Sequence, residues 1–226
     1  MNYRNTRCYL NCEKAIFEGV GKYQIPEIQP IDLDIENVPL LGFNYAKTER
    51  HPEDKIVHFY LDDYQFDRVW NNPDIYLSVL SRFKAVLSPD FSTYSDFPNA
   101  ISIFNHYRKQ WCGAYWQMHG INVIPTIGWG NEDTWEYVLD GIPRNALICI
   151  STVGMFSRKE YRRRFAEGYQ KAIEALQPKK ILFYGKMFPE ITIPDGVEYS
   201  VAINQNTLNR KLARERMNAE AEKNQL

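Results

Sequence analysis

Short β-branched and aromatic runs alternate along the chain with longer stretches whose apolar residues recur at helical spacing. This alternation is typical of parallel βα units. Most of the short runs are apolar throughout, as expected for strands that are covered on both faces. Seven strands are predicted, at residues 40–46, 55–61, 84–88, 121–129, 146–151, 180–185 and 197–203.

Helices are predicted between these strands. Pro73 follows Asn71 and Asn72 at a favourable first helical position, and it precedes an apolar stripe formed by Tyr76, Val79, Leu80 and Phe83. The longest helix is predicted from about Pro98 to Gly120. The buried stripe predicted for that helix comprises Ala100, Phe104, Tyr107, Trp111, Ala114, Tyr115 and Met118.

A third helix is predicted at residues 157–176. Ser157 and Glu160 have the spacing of a capping box, and Pro178 follows the end of the helix. Its predicted buried side comprises Tyr161, Phe165, Tyr169, Ala172, Ile173 and Leu176.

The elements together predict one α/β core domain at residues 40–206. A complete or partial parallel (β/α) barrel is the preferred form, and an open doubly wound sheet is the alternative. Residues 1–39 contain scattered prolines and few periodic apolar positions, which predicts an irregular N-terminal arm. Residues 207–226 are rich in charged residues, which predicts a polar C-terminal helix or tail.

Composition narrows the class of protein. A chain of 226 residues with 44% hydrophobic residues can bury a sizeable core. Because 27 Lys and Arg residues nearly balance 28 Asp and Glu residues, binding of nucleic acid would need a local basic patch. No segment resembles a signal peptide or a membrane span, so a cytoplasmic protein without a membrane partner is expected. The four cysteines do not form a disulfide framework, and Cys8 and Cys12 are expected to be free thiols.

The candidate site lies at the carboxyl ends of the predicted strands, where parallel α/β folds bind their ligands. If the sheet forms as predicted, polar and aromatic residues from several strands share this rim. These residues are Asp62, Asp63, Ser88, Asp90, Trp129, Ser151, Thr152, Lys186 and Asn204 to Asn206.

Two kinds of chemistry fit this rim. Asp62, Asp63 and Asp90 could hold a divalent metal such as magnesium or manganese, or they could divide into acid and base or nucleophile roles. Aspartates that follow strands also cap helices and form turns, so a structural role stays open for each. If the protein is an enzyme, Lys186 and Ser151 would bind an anionic group of its substrate. Thr152, next to Ser151, would belong to the same binding site.

Other residues add weaker signals. Trp129 could stack on a ring of the ligand. The run at residues 158–164 places cations, including Arg162 and Arg163, at a helix start, which indicates either an anion site or a solvated face. His58 and His106 have no second metal ligand at helical or hairpin spacing, so each is expected to be structural or solvated.

Several motifs in residues 55–186 resemble one family. They are "FYLDDY", "LSPDFS", "GAYWQ", "VIPTIGW", "LDGIP", "STVG" and "LFYGK". This stretch resembles the bacterial and phage family known as domain of unknown function 4417. The resemblance implies a protein of phages or mobile elements and carries no established reaction. The order of the later motifs is also similar to the second half of (β/α) barrels that exchange or cleave bases, which is an analogy of fold alone.

Two functional hypotheses follow. The first is an enzyme that acts on a nucleotide or nucleic acid through Asp62, Asp63 and Asp90 as catalytic groups or metal ligands. The second is a non-catalytic protein that engages a host or replication protein, or that sequesters a nucleotide. A purely architectural role through the C-terminal segment is a third possibility, and the sequence does not give the oligomeric state.

Overall fold

The computed structural model describes residues 9–204, with nine strand segments and five α-helices in that range. The strands are β1 (Pro39–Gly42), β2 (Ile56–His58), β3 (Ala85–Leu87), β4 (Val123–Ile124), β5 (Thr126–Ile127), β6 (Leu147–Ser151), β7 (Lys180–Tyr184), β8 (Glu198–Val201) and β9 (Ile203–Asn204). The helices are α1 (Phe43–Ala46), α2 (Arg68–Asn71), α3 (Pro73–Leu80), α4 (Asn99–Met118) and α5 (Lys159–Leu176). Short 3-10 turns lie at Asp63–Gln65, Glu132–Glu136 and Met155–Ser157.

All strand pairs are parallel, and they form a five-stranded sheet in the order β4-β3-β2-β1-β9 and a four-stranded sheet in the order β5-β6-β7-β8. Only Pro125 separates β4 from β5, and only Ala202 separates β8 from β9. Each of these segment pairs is therefore one interrupted strand that belongs to both sheets. The pairings join the sheets at both ends, so the seven strands predicted from the sequence close into a parallel barrel.

The alternation of side chains agrees with this closure. One set of alternate positions from β1, β2, β3, β4, β6 and β7 packs in a single buried cluster inside the ring, with Ala202 partly buried against it. Residues 31–38 of the N-terminal arm cover the amino end of this interior, where Lys180 Nζ contacts the Leu33 carbonyl and the Asp32 carboxylate. The other set of positions points outward, against α4 and its neighbours on one side and against α5 on the other.

The strands and helices lie close to their predicted positions, with local differences. Residues 43–46 form α1 and not the end of a strand, and Pro125, which has no N–H for the ladder, interrupts the predicted strand at 121–129. Helix α3 begins at Pro73 as predicted. The capping box was wrong, because α5 begins after Arg158, and Ser157 lies in the preceding 3-10 turn. Tyr161, which was expected to be buried, is exposed on the first turn of α5.

Helix α4 is buried on both sides. Part of its aromatic stripe faces the N-terminal arm, and Trp111 Nε1 donates a hydrogen bond to the Ala15 carbonyl. Met118, which was expected in this stripe, is exposed. The opposite polar side is buried too: His106 and Gln110 contact the Asp140 carbonyl through side-chain nitrogens at 2.9 and 3.3 Å. His106 therefore has a structural role.

The remaining predictions concern the ends of the chain and the cysteines. Residues 9–38 contain one isolated bridge, Val20–Ile25, and otherwise follow an irregular path. Cys12 is an exposed free thiol, and Cys112 and Cys149 are buried free thiols. Cys8, Gln205, Asn206 and the predicted polar segment 207–226 lie outside the described residues.

Within residues 9–204, the longest helices do not combine the length and the apolar composition that crossing a lipid bilayer requires.

Candidate functional site

An aromatic layer closes the barrel interior near the carboxyl ends of the strands. The rings of His58 and Tyr184 have centroids 4.6 Å apart, and Tyr60 stacks on Tyr184 at 4.8 Å with an interplanar angle of 14°. The Tyr60 hydroxyl donates a hydrogen bond to Cys149 Sγ at 3.3 Å, which fixes the orientation of the ring. His58 and Tyr184 are buried, whereas Tyr60 keeps part of its surface exposed. Tyr60 is therefore the least buried member of this layer.

The protonation states of this layer follow from burial. His58 Nδ1 accepts a hydrogen bond from the Tyr60 backbone N–H at 3.2 Å, which requires an unprotonated Nδ1. Burial also lowers the pKa of His58 to about 4, so the ring is neutral at pH 7. Burial raises the pKa of the Cys149 thiol to about 12. Cys149 therefore stays protonated and is not a nucleophile at neutral pH.

A buried ion pair lies beside the aromatic layer. Lys109 Nζ, which α4 supplies, is 3.6 Å from Asp90 Oδ1, in the loop after β3. The Lys109 side chain is 3% exposed, whereas the Asp90 side chain is 34% exposed. Lys109 is thus the inner member of the pair. Asp90 faces the opening, which is the solvent-exposed carboxyl end of the barrel.

Burial shifts both members of this pair toward their neutral forms. Burial raises the pKa of Asp90. The positive charge of Lys109 opposes this rise, and the negative charge of nearby Asp63 reinforces it. Burial also lowers the pKa of Lys109, although the Asp90 carboxylate opposes this change. Both directions favour movement of a proton from the amine to the carboxyl group. A carboxyl group in this condition is suited to act as a general acid or base.

Gly128 lies close to the pair. A Cβ atom on Gly128 would lie 3.8 Å from Asp90 Oδ1 and 3.9 Å from Lys109 Nζ, which is ordinary van der Waals contact. An alanine at residue 128 would therefore fit beside the pair without a clash.

The three predicted aspartates occupy different environments. Asp62 is exposed and accepts a hydrogen bond from Gln65 Nε2 at 3.4 Å. Asp63 accepts hydrogen bonds from the Ser92 hydroxyl at 2.8 Å and the Ser92 backbone N–H at 3.2 Å, and so connects the loops after β2 and β3. Asp62 occupies the cap position of the 3-10 turn without a side-chain capping bond.

The expected metal site lacks a ligand set in this part of the chain. Among residues 9–204, His, Cys, Asp and Glu side chains do not form any group of three or more that could hold a metal ion. Asp62, Asp63 and Asp90 thus do not come together as the magnesium or manganese site that their positions along the chain suggested.

The polar residues after β6 and β7 hold these two loops together. The Thr152 hydroxyl donates to the Lys186 carbonyl at 2.8 Å, and Ser151 Oγ accepts the Val153 N–H at 3.2 Å. Gly185 has a φ of +112° and approaches Thr152 so closely that a Cβ would lie 2.4 Å from its hydroxyl. The Lys186 side chain is exposed at the same end of the barrel. Anion binding by Ser151, Thr152 and Lys186 stays a prediction.

Trp129 packs against α5 outside the barrel. Its ring stacks on Trp135 at 5.7 Å and meets Phe165 at 5.2 Å. Gly168 permits this packing, because a Cβ there would lie 2.2 Å from Trp129 Nε1. These contacts fix the indole ring against the helix, and its stacking on a ligand stays a prediction.

We expect Gly168→Ala to destabilise the protein although alanine favours helices. Alanine gains about 1 kcal/mol in helix propensity, but the clash with the rigid Trp129 ring should cost about 1–3 kcal/mol. Chemical denaturation would measure the net loss. The double variant with Trp129→Leu should lose less than the sum of the two single changes, because the clash is relieved. A Gly168→Ala protein more stable than wild type would contradict the packing described.

The basic run on α5 has acidic neighbours. Arg162 pairs with Glu190 at 3.1 Å, and Arg163 pairs with Glu167 one turn along the helix at 3.4 Å. Arg164 pairs in the same way with Glu160 at 2.7 Å. These carboxylates reduce the positive field of the run, and an anion site at Arg162 and Arg163 stays a prediction.

The neutral state of His58 predicts a dependence of stability on pH. The unfolded chain binds a proton on this histidine near pH 6.5, whereas the folded protein does so only near pH 4. The stability that the neutral His58 contributes is therefore fully present above pH 6.5 and is lost as the pH falls toward 4. Between pH 7 and pH 4.5, the free energy of unfolding of wild type should fall by about 2 kcal/mol more than that of His58→Phe. Equal falls in the two proteins would contradict a buried neutral His58.

Lys109, Tyr60 and Tyr184 were not among the residues predicted for the site. Lys109 comes from a helix and not from a strand end. Its signal in the sequence is a polar stripe opposite the aromatic one, with Ser102, Asn105, His106 and Lys109 recurring at helical spacing. That stripe looks like a solvated helix face until the packing of α4 is known.

Comparisons with known proteins agree with the family resemblance. A family model described as "Domain of unknown function (DUF4417)" matches residues 17–200. The chain is 35% identical over 188 residues to "Gene 1 protein" of Mycobacterium phage D29, with 82% of this chain and 70% of the phage protein covered. It is 36% identical over 192 residues to "Gene 1 protein" of Mycobacterium phage L5, with 82% of each covered. No solved structure matches. The protein therefore belongs to the DUF4417 family, which includes phage proteins and has no assigned function.

Proposed function

We propose that the protein is an enzyme that acts on a nucleotide or nucleic-acid substrate at the carboxyl end of the barrel. Asp90 is its general acid or base, and Lys109 holds Asp90 in place. The observation that carries the proposal is the pair itself, in which a nearly fully buried lysine supports a carboxylate that faces the opening. Charged side chains are seldom buried unless they are paired.

The neighbouring groups support the substrate class. Tyr60 is a partly exposed residue whose ring Tyr184 and Cys149 fix in orientation, and a nucleobase would stack on it. A nucleobase edge also carries hydrogen-bond donors and acceptors side by side, which complements a carboxylate next to an ammonium group. Lys186 would interact with a phosphate from the loop after β7. A divalent metal is not part of this proposal.

Turnover tests the proposal directly. Wild-type protein would be incubated with nucleosides, nucleotides and short oligonucleotides, and products would be identified by liquid chromatography and mass spectrometry. Asp90→Asn should lower the rate by about a hundredfold or more, as expected for loss of a general acid or base. Asp62→Asn, a matched change at an exposed aspartate after β2, should leave the rate within about twofold. Undiminished turnover in Asp90→Asn, or no product from any of these compounds, would contradict the proposal.

Exposed aromatic residues favour a second candidate, a binding protein that engages a host or replication protein. Tyr45, Tyr64 and Tyr94 follow β1, β2 and β3, and they are 46%, 80% and 60% exposed. Tyrosine is enriched in protein interfaces, so these residues fit a partner surface around the opening. Tyr64→Ala with Tyr94→Ala should abolish capture of such a partner and leave folding intact. Capture that survives this double change would remove the support for this candidate.

A further inference from the structure

We infer that Arg108 is a positioning residue that holds the loop after β3, and with it Asp90, against helix α4. The inference rests on the proposed function, since it concerns the orientation of the proposed general acid or base. Lys109 contacts the Asp90 carboxylate itself, whereas Arg108 contacts the next residue of the loop, Phe91.

Three consecutive residues of the loop after β3 contact one face of α4. The helix residues that they contact are spaced by three and four positions, which places their side chains together on that face. The contacting pairs are Ser92 with Asn105, Phe91 with Arg108, and Asp90 with Lys109. The loop is therefore attached to the helix at three successive residues and not at Asp90 alone.

Phe91 is the link between Arg108 and Asp90. The guanidinium carbon of Arg108 lies 3.8 Å from the centroid of the Phe91 ring. Phe91 is buried and also contacts the ring of Phe66, with centroids 5.1 Å apart. A cation over an aromatic face is held more strongly where water is excluded. Since Phe91 directly follows Asp90 in the chain, fixing this ring fixes the backbone that carries the carboxylate.

The guanidinium group is held in turn by two acceptors. Its Nη1 donates a hydrogen bond to Asp67 Oδ1 at 2.6 Å, and its Nε donates one to Asn105 Oδ1 at 3.1 Å. Asp67 directly precedes α2, and 14% of the Arg108 side chain is exposed. A planar guanidinium group can donate to several acceptors while its face lies on a ring, and a lysine ammonium group does not reproduce this arrangement.

Asp63 joins the same network from the loop after β2. Its Oδ2 lies 3.9 Å from Arg108 Nη2, and its carboxylate accepts hydrogen bonds from the Ser92 hydroxyl and backbone N–H. The loops after β2 and β3 are thus connected both directly and through Arg108. We therefore expect loss of the guanidinium group to loosen residues 90–92 more than the rest of the barrel.

Hydrogen exchange of the Ser92 backbone amide tests the inference in the full-length protein. Arg108→Lys keeps the positive charge and removes the planar group. It should speed exchange at Ser92 by about tenfold or more, while exchange at Ile150 in β6 stays within about twofold of wild type. Arg163→Lys, a matched change in the exposed Arg163–Glu167 pair of α5, should leave both rates unchanged. Equal acceleration at Ser92 and Ile150 would show a general loss of stability and overturn the inference.

The coupling energy between Asp90 and Lys109 reports on the position of the carboxylate itself. It would be measured by urea denaturation of Asp90→Asn, Lys109→Met and the double variant, once in the wild-type background and once with Arg108→Lys. The coupling energy should fall to less than about half of its value in the wild-type background. If Arg108 served general stability alone, Arg108→Lys would lower every unfolding midpoint and leave the coupling energy unchanged, and that result would overturn the inference.

The outcomes separate this inference from the proposed function. With a substrate that is turned over, kcat of Arg108→Lys should fall about tenfold or more while KM stays within about threefold, and an unchanged kcat would overturn the inference. If the coupling energy falls but no compound is turned over, Arg108 positions the pair and the proposed function fails. If turnover depends on Asp90 but the coupling energy is unchanged, this inference fails and the proposed function stands.

Discussion

Replacement of Asp90 by Asn should lower the free energy of unfolding by about 2–4 kcal/mol, because it leaves the buried Lys109 without its counter-charge. Lys109→Met should cost less, about 1–3 kcal/mol, since Asp90 keeps a third of its side chain exposed and can take up a proton. The double variant Asp90→Asn with Lys109→Met removes both charges. It should recover to within about 1 kcal/mol of wild type or exceed it, because well-packed neutral residues often replace a buried pair without loss.

Urea denaturation of the four proteins at pH 7 would measure this cycle. The coupling energy between the two changes should be at least about 2 kcal/mol, because the two single losses together far exceed the loss in the double variant. The conservative variant Asp62→Asn, at an exposed aspartate of the loop after β2, should change stability by less than about 0.5 kcal/mol. Additive losses in the double variant would show that Asp90 and Lys109 are not a coupled pair.

Phe59→Ala should produce the largest loss among single core changes near the site. The ring lies between two aromatic neighbours, with centroids 5.1 Å from Phe43 and 5.5 Å from Trp116, and meets Phe66 edge-on at 5.6 Å. Truncation of such a buried ring leaves a cavity and should cost about 3–5 kcal/mol. It would also loosen the helices that pack against β2.

Tyr64→Ala provides the matched control for this prediction. Tyr64 lies in the same stretch of the chain but is 80% exposed, so its truncation should cost less than about 0.5 kcal/mol. The midpoint of urea unfolding would be measured for both variants. A loss below about 1 kcal/mol for Phe59→Ala, or a loss for Tyr64→Ala of the same size, would contradict the burial of the Phe59 ring among its aromatic neighbours.

Most of the fold could be predicted because its strands are short, apolar and regularly spaced. The runs at 146–151 and 180–185 became β6 and β7 with almost the predicted bounds, since strands buried on both faces leave a continuous apolar signal. Local backbone chemistry accounts for the exceptions. The break at Pro125 follows from the missing N–H of one proline, and the apolar pattern of residues 40–46 does not distinguish the short helix α1 from the end of a strand.

The candidate site could be predicted only in part. Asp90 was placed at the rim because it follows a strand, and the structure does bring it to the opening. Lys109 was missed, since its position depends on how deeply α4 is buried, which is a property of the whole fold. Asp62 and Asp63 were predicted to lie together at the site, but Asp62 is exposed and Asp63 is bound to Ser92. Neighbouring aspartates in the sequence point to different surroundings, so adjacency along the chain did not make a metal site.

The most direct test of the Asp90–Lys109 site is the ligand-induced change in melting temperature. A panel of nucleosides, nucleotides and short oligonucleotides would be added to wild type, to Asp62→Asn and to Asp90→Asn with Lys109→Met. We predict that at least one compound raises the melting temperature of wild type and Asp62→Asn by several degrees, as expected for a ligand well above its Kd, and leaves the double variant unchanged. An equal rise in the double variant would place the binding site elsewhere and contradict the account.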